Sequence, residues 1–207
     1  MGDLNYRRYW ELRYRLGATS GAGSYGANAE YKASVVNDCV HRFGVRTVLE
    51  FGCGDGNQLG YMDYASYVGL DVSKAAVKKC SKKFADDSSK CFRLYDPRQP
   101  LDMGQYDMTV SLEVLMHITD EDDFVATLDH IFAHSRNLVV IQTSLYPIVA
   151  YKPGSHERHR ELLPYLEKYE FTLAEKIIHP STTEEGRQRG EIGEMIADFV
   201  VLTRNAG

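Results

Sequence analysis

A glycine-rich loop headed by an acid follows the first strongly apolar run of the sequence. The run VRTVLEF at 45–51 contains Glu50 and leads directly into GCGDG at 52–56. Glycines at this spacing let the backbone approach a ligand where a Cβ atom would collide. The third glycine comes one residue too early for the G-x-G-x-x-G fingerprint of dinucleotide-binding proteins. The loop therefore predicts a ligand site and argues against a pyrophosphate cofactor.

Two further acidic residues close or follow the next apolar runs. Asp71 closes the run at 66–70, 21 positions after Glu50, where a carboxylate can accept hydrogen bonds from both hydroxyls of a ribose. Asp96 follows the run at 90–94 and can accept from the exocyclic amine of adenine. Together the three acids indicate a site for a cationic adenosine ligand.

Alternating strand and helix patterns position these residues. Helical spacing predicts helices at 29–43, at 73–84 with Ser73 as cap, and after Thr119, the last with a T-x-x-D capping box formed by Thr119 and Asp122. Such alternation is typical of an α/β protein with a doubly wound, mainly parallel, seven-stranded sheet, whose ligands bind outside the carboxyl ends of the strands. Short apolar runs predict the strands at 45–51, 66–70, 90–94, 107–112, 138–143, 171–178 and 196–203.

The segments VLEFGCGDG, YVGLDVS and YDMTVSLEVLMHI, together with Asp96, resemble the class I S-adenosylmethionine-dependent methyltransferases. The resemblance runs from about Tyr31 to the C-terminus and implies their Rossmann-like fold. It also implies that the glycine loop holds the methionine part of the cofactor, that Asp71 holds the ribose and that Asp96 faces the adenine. The implied cofactor-binding residues are Glu50, Gly52, Gly54, Gly56, Asp71, Val72, Asp96, Leu112 and Tyr25.

A possible metal site follows the fourth predicted strand. Glu113 and His117 are four residues apart and share one face if the segment is helical. With the later His156, they resemble part of the site of metal-dependent 2′-O-methyltransferases of small RNAs, in which a second glutamate stands where this chain has Met116. The resemblance implies Mg²⁺ or Mn²⁺ held by Glu113, His117 and His156, and the alternative is that Glu113 caps a helix while His117 packs on the sheet.

The segment KPGSHERHRELL at 152–163 carries candidate catalytic and acceptor-binding residues. Methyl transfer from a sulfonium to a hydroxyl needs an aligned acceptor, exclusion of water and a group that removes the proton. We expect His156, His159 or His117 to be that base, and Arg158 and Arg160 to contact the acceptor.

The opening segment RRYWELRYRLGATSGAGSYG resembles a lead-in of small bacterial and viral methyltransferases associated with glycans. The resemblance implies that Trp10 and Tyr14 stack on a sugar or, with Tyr25, cover the cofactor, and that the loop at 21–26 closes over its methionine end. Two alternatives stay open: the aromatic side chains pack an extra helix on the sheet, or the nearby arginines grip phosphate.

Composition limits the class of protein. The 207 residues include 43% hydrophobic and 26% charged residues, which argues against disordered, collagen-like and membrane-spanning chains. A formal charge of −5 argues against general attraction to nucleic acid or membranes. The four cysteines form no C-x-x-C pair, and the start of the chain lacks a secretory signal pattern, so we expect reduced, mostly buried cysteines and a cytoplasmic location.

The motifs together predict one methyltransferase domain over residues 1–207, with a lead-in at 1–30 and a catalytic core at 31–207. The leading hypothesis is an O-methyltransferase of a sugar hydroxyl of a glycan, with rhamnose or another deoxysugar as the first candidate. The alternatives are an RNA 2′-O-methyltransferase, a small-metabolite methyltransferase, a Rossmann reductase and a non-catalytic partner subunit that binds S-adenosylmethionine. The oligomeric state is left open.

Overall fold

The computed structural model describes residues 4–147, 152–193 and 196–205. In these residues seven strands form one sheet in the order β3-β2-β1-β4-β5-β7-β6. All neighbours are parallel except β7, which runs antiparallel to β5 and β6. The predicted mainly parallel seven-stranded sheet is confirmed. The strands are β1 (Thr47–Phe51), β2 (Ser66–Asp71), β3 (Lys90–Leu94), β4 (Tyr106–Leu112), β5 (Ser135–Thr143), β6 (Phe171–Ile177) and β7 (Asp198–Arg204).

Helices alternate with most of the strands. The predicted cap Ser73 of the third helix is confirmed, because its hydroxyl accepts from the Ala76 N–H. The predicted capping box at Thr119 and Asp122 is wrong: Asp120 caps the fourth helix and accepts from the Asp123 N–H at 2.9 Å. Aspartate is at least as good a cap as threonine, and it stands one residue later. The helices are α1 (Tyr6–Arg15), α2 (Gly26–Arg42), α3 (Lys74–Lys83), α4 (Glu121–Ala133), α5 (Leu163–Leu166) and α6 (Glu184–Gln188).

The sheet is covered on both faces. Alternate residues of β1 enter different apolar clusters: Leu49 packs in the cluster that contains Phe124 of α4, and Val48 in the one that contains Val36 of α2. A strand that is buried on both faces has a continuous apolar sequence, and the apolar run at 45–51 therefore predicts a strand at this position.

The strand order reverses direction between β1 and β4. From this point the chain winds outward to β2 and β3 on one side and to β5 on the other. The loops that leave the carboxyl ends of β1 and β4 therefore diverge and open a crevice between them.

Two expectations from composition can also be compared with the fold. All four cysteines are unpaired, with Cys39, Cys53 and Cys80 buried and Cys91 exposed. No described helix is long and apolar enough to cross a membrane.

Candidate active site

A cavity of about 250 Å³ opens at the carboxyl ends of β1, β2 and β4. The sequence-predicted residues on its wall are Trp10, Tyr14, Glu50, Gly52, Gly54, Asp71, Val72, Leu112, Glu113, His117 and His156. The predicted residues that the structure describes but does not place on this wall are Tyr25, Gly56, Asp96, Arg158, His159 and Arg160.

The glycine loop folds around the carboxylate of Asp71. Its oxygens accept from the backbone N–H groups of Gly54 at 2.9 Å and Ser73 at 2.8 Å. Gly54 has a φ of 56°, and a Cβ atom there would collide with the Ser20 hydroxyl. A carboxylate offers about four acceptor positions, so the loop orients Asp71 and leaves capacity for two ribose hydroxyls.

Two buried acids give this part of the cavity its charge. Burial raises the pKa of Asp71 to about 6, against hydrogen bonds from the loop that lower it. Burial likewise raises the pKa of Glu50 to about 7, although the Tyr67 hydroxyl donates to its carboxylate and the nearby Lys32 ammonium favours the charged form. A cationic ligand would stabilise both carboxylates, so the cavity suits a sulfonium.

The wall contributed by residues at or just after the strand ends is apolar. Val72, Tyr95 and Leu112 lie there, as an adenosine pocket requires. Asp96 does not reach the cavity: its carboxylate, 43% exposed, accepts from the Arg7 guanidinium at 2.7 Å. The adenine contact of Asp96 stays a prediction: in this structure Arg7 of α1 pairs with the carboxylate, and Tyr95 lines the wall beside it.

The lead-in lies against the glycine loop. Ser20 and Asp55 exchange two hydrogen bonds, one from the Ser20 N–H at 3.0 Å and one from the Asp55 N–H at 2.9 Å. The Tyr25 hydroxyl donates to the Asp55 carboxylate at 2.7 Å, so Tyr25 stabilises the glycine loop from outside the cavity. Trp10 and Tyr14 stack with ring centroids 5.6 Å apart and form part of the wall.

A fully buried lysine faces Glu113. The Lys32 ammonium lies 2.8 Å from the Glu113 carboxylate, and its side chain has no exposed area. Among the described non-glycine residues Glu113 alone has a positive φ, 55°, a strained conformation of the kind found at binding sites. A Cβ atom on Gly23 would collide with the Glu113 carboxylate, because the backbone of the lead-in packs directly against that carboxylate.

His117 and His156 stack at the other side of the cavity. Their rings are 5.6 Å apart and nearly parallel, with Tyr9 stacked on His156 and the edge of Trp10 on His117. His117 Nδ1 donates to the carbonyl oxygen of His156 at 3.1 Å, and burial lowers the pKa of His117, so its Nε2 carries a lone pair at neutral pH. The His156 side chain is 45% exposed and is the accessible imidazole.

His159 and the two arginines lie behind this wall. The His159 side chain is 4% exposed and its Nδ1 is 2.9 Å from the Ser144 hydroxyl. Arg158 and Arg160 both pair with Glu121 at the start of α4, at 3.1 and 3.0 Å. The arginines thus hold the segment against α4, and their acceptor contacts stay a prediction. Of the two candidate bases in the segment, only His156 lines the cavity.

The predicted metal-binding set does not fit the geometry. Among the described residues, the ligand atoms of His117, His156 and Glu157 lie within 4.8 Å of one another, and Glu113 is not in this group. Its carboxylate is neutralised by Lys32 instead.

Sequence reasoning missed Lys32 and Glu157. Lys32 stands at helical spacing among Ala29, Ala33 and Val36, the apolar positions of α2, and a lysine inside such a stripe signals a buried partner. Glu157 lies next to His156 in sequence, but nothing in the pattern distinguishes it from a solvated glutamate.

Comparison with known proteins places part of the chain in a described family. Residues 49–137 match the model of a family described as a methyltransferase domain. No curated protein sequence matches the chain significantly.

Solved structures share the fold at low sequence identity. The N-methyltransferase NodS from Bradyrhizobium japonicum, in complex with S-adenosyl-l-homocysteine, is 14% identical with a TM-score of 0.71, over 98% of this chain and 100% of that one. The magnesium protoporphyrin IX methyltransferase ChlM from Synechocystis, also with bound S-adenosylhomocysteine, is 17% identical with a TM-score of 0.67, over 96% and 98%. The methyltransferase domain of bacterial CtHen1 is 18% identical with a TM-score of 0.63, over 86% and 100%.

The fold is thus the α/β fold of methyltransferases. The family match over 49–137, with the glycine loop and Asp71 inside it, supports an S-adenosylmethionine-dependent methyltransferase, and S-adenosylmethionine is the cofactor that the site fits.

Proposed function

We propose that the protein is an O-methyltransferase that transfers a methyl group from S-adenosylmethionine to a sugar hydroxyl of a glycan. A deoxysugar such as rhamnose is the first candidate, from the resemblance of the lead-in. The observation that carries the proposal is a wall of rings packed face to face and edge to face beside the cofactor site, formed by Tyr9, Trp10, His117 and His156.

The chain supplies the contacts that hold the cofactor. Asp71 accepts from the ribose, the apolar wall covers the adenosine and the glycine loop borders the methionine part. When bound, the sulfonium supplies an electrophilic methyl carbon. The buried carboxylates of Glu50 and Asp71 favour its positive charge.

The ring wall suits a sugar because a pyranose has an apolar C–H face that packs on aromatic rings. The same wall contains imidazole side chains. A sugar hydroxyl can donate a hydrogen bond to an imidazole nitrogen. A hydroxyl placed at His156 can lose its proton to the imidazole while its oxygen forms a bond to the methyl carbon. The carbon–sulfur bond breaks, its electron pair stays on sulfur, and the products are a methyl ether and S-adenosylhomocysteine.

The ring wall and the accessible imidazole of His156 together favour an enzyme over a partner subunit that only binds the cofactor. A subunit without catalysis would need neither an accessible imidazole nor an open wall next to the methyl end. The acidic balance of the chain favours a neutral acceptor over RNA, since no excess of basic residues would neutralise phosphates.

The experiment is to incubate the protein with S-adenosylmethionine labelled in the methyl group and with panels of methyl glycosides, oligosaccharides and short RNAs. We expect label on a sugar oxygen of a glycoside or oligosaccharide, identified by mass spectrometry and NMR. Label on an RNA 2′-oxygen, on a nitrogen or only on a small metabolite contradicts the proposal. Binding of S-adenosylhomocysteine, measured by calorimetry, is the control that the cofactor site is intact.

A further inference from the structure

We propose that His117, His156 and Glu157 form a binding site for a first-row transition metal ion of the zinc type. The site lies on the ring wall and differs from the predicted Mg²⁺ or Mn²⁺ site, because Glu157 replaces Glu113. The inference rests on the proposed function and deepens it, since the imidazoles are those that face the acceptor: without an ion His156 can accept the proton of the hydroxyl, whereas with an ion bound His156 is a ligand and the proton of the metal-bound hydroxyl leaves to solvent.

The ligand atoms of the three residues are close enough to share one ion. One ligand atom from each of the three residues fits within 4.8 Å. His156 Nε2 lies 3.4 Å from Glu157 Oε1. Two atoms bound to a tetrahedral metal at about 2.1 Å are about 3.4 Å apart, so this spacing is compatible with coordination of one ion.

The surrounding contacts orient the ligands as metal sites require. Histidine ligands usually donate their other ring N–H to a carbonyl or carboxylate, and His117 Nδ1 donates to the His156 carbonyl oxygen at 3.1 Å. The second oxygen of Glu157 faces His159 Nε2 at 3.4 Å, and Ser144 fixes the His159 ring through Nδ1. This gives the buried His159 a role: it holds the carboxylate ligand.

The donor set selects the kind of ion. Imidazole nitrogens suit zinc, copper, iron and nickel better than magnesium or manganese, and two histidines with one glutamate form a known catalytic zinc set that leaves a position open. Glu157 is 38% exposed and His156 45%, so an ion can enter from solvent. When bound, such an ion lowers the pKa of a coordinated hydroxyl.

The test uses metal alone on the full chain. Metal-free protein is titrated with Co²⁺, followed by its visible absorption, and Zn²⁺ is then added as competitor. We expect one Co²⁺ per chain, a tetrahedral spectrum and full displacement by Zn²⁺. Glu157→Gln should weaken Co²⁺ binding by at least about ten-fold, whereas Glu161→Gln, an exposed glutamate on the same segment, should not change it.

Absence of the spectrum, or a spectrum and affinity that survive in either Glu157→Gln or His117→Gln, overturns the metal site. Thermal unfolding and S-adenosylhomocysteine binding of each variant separate loss of ligands from loss of the fold. With an acceptor in hand, transfer that resists chelator refutes the metal while leaving the proposed methyl transfer, with His156 as base, intact.

Discussion

The two sides of the cavity are built differently. On the cofactor side, Asp71 and the glycine loop belong to consecutive βα units, and Asp71 is hydrogen-bonded and 6% exposed. On the side proposed for the acceptor, α1, the turn at Leu115–His117 and the segment at 156–157 come from distant parts of the chain, and His156 is nearly half exposed.

The difference follows from what each side binds. A constant cofactor can be held by backbone N–H groups and acids fixed at strand ends, which any chain with this fold places alike. An acceptor that differs between enzymes is bound by added segments, whose side chains can change without altering the sheet. Lys32 connects the two sides of the cavity, because its ammonium pairs with Glu113 after β4 and lies near Glu50 of β1.

The largest expected effect comes from breaking that connection. Lys32→Met leaves the Glu113 carboxylate without its partner in a site that is 19% exposed, and we expect a loss of about 3 kcal/mol in the free energy of unfolding, measured in urea. Lys82→Met, at an exposed lysine of α3, should change it by less than about 0.5 kcal/mol. Equal stability of the two variants would show that the pair does not support the site.

Removing the accessible imidazole tests the acceptor side alone. His156→Gln should lower kcat with the acceptor found by labelling by about 100-fold, because a proton acceptor, or a ligand when a metal is bound, is lost, and leave the Kd for S-adenosylhomocysteine within about two-fold. His41→Gln, at an exposed histidine of α2, should alter neither. If cofactor affinity falls as much as kcat, the two sides are not separable.

Asp71→Ala tests the cofactor side. Removing an acceptor of ribose hydroxyls should raise the Kd for S-adenosylhomocysteine by about 10-fold or more, on the order of 1.5–3 kcal/mol, measured by calorimetry. Asp86→Ala, at an exposed aspartate, is the matched control. An unchanged Kd for Asp71→Ala refutes the ribose assignment.

The smallest effect is the pH dependence of cofactor binding. Burial raises the pKa of Asp71 to about 6, so the carboxylate is mostly charged at pH 7 and mostly protonated at pH 5. Since only the charged form accepts from both hydroxyls, affinity for S-adenosylhomocysteine should fall roughly three- to ten-fold from pH 7 to pH 5. Asp71→Asn should flatten the profile, and a steep profile in that variant would assign the effect to Glu50, whose pKa is about 7.

Local sequence patterns predicted the strands of the sheet, but only some of the residues that line the cavity. The run at 45–51 marked β1 because a strand buried on both faces must be apolar throughout, and Asp71 could be placed because it ends such a strand. Asp96 satisfied the same rule, yet Arg7 of α1 takes its carboxylate, a contact across 89 positions that no local pattern contains.

The sequence by itself determined the α/β architecture, the glycine loop and the acid that faces it, because these depend on periodicity and on residues only a few positions apart. The tertiary structure alone decided that Glu113 pairs with Lys32, that His156 faces the cavity while His159 does not, and that Glu157 joins the two histidines. Those contacts join segments that meet only after folding, and burial then sets which side chains keep their charge and which reach the ligand.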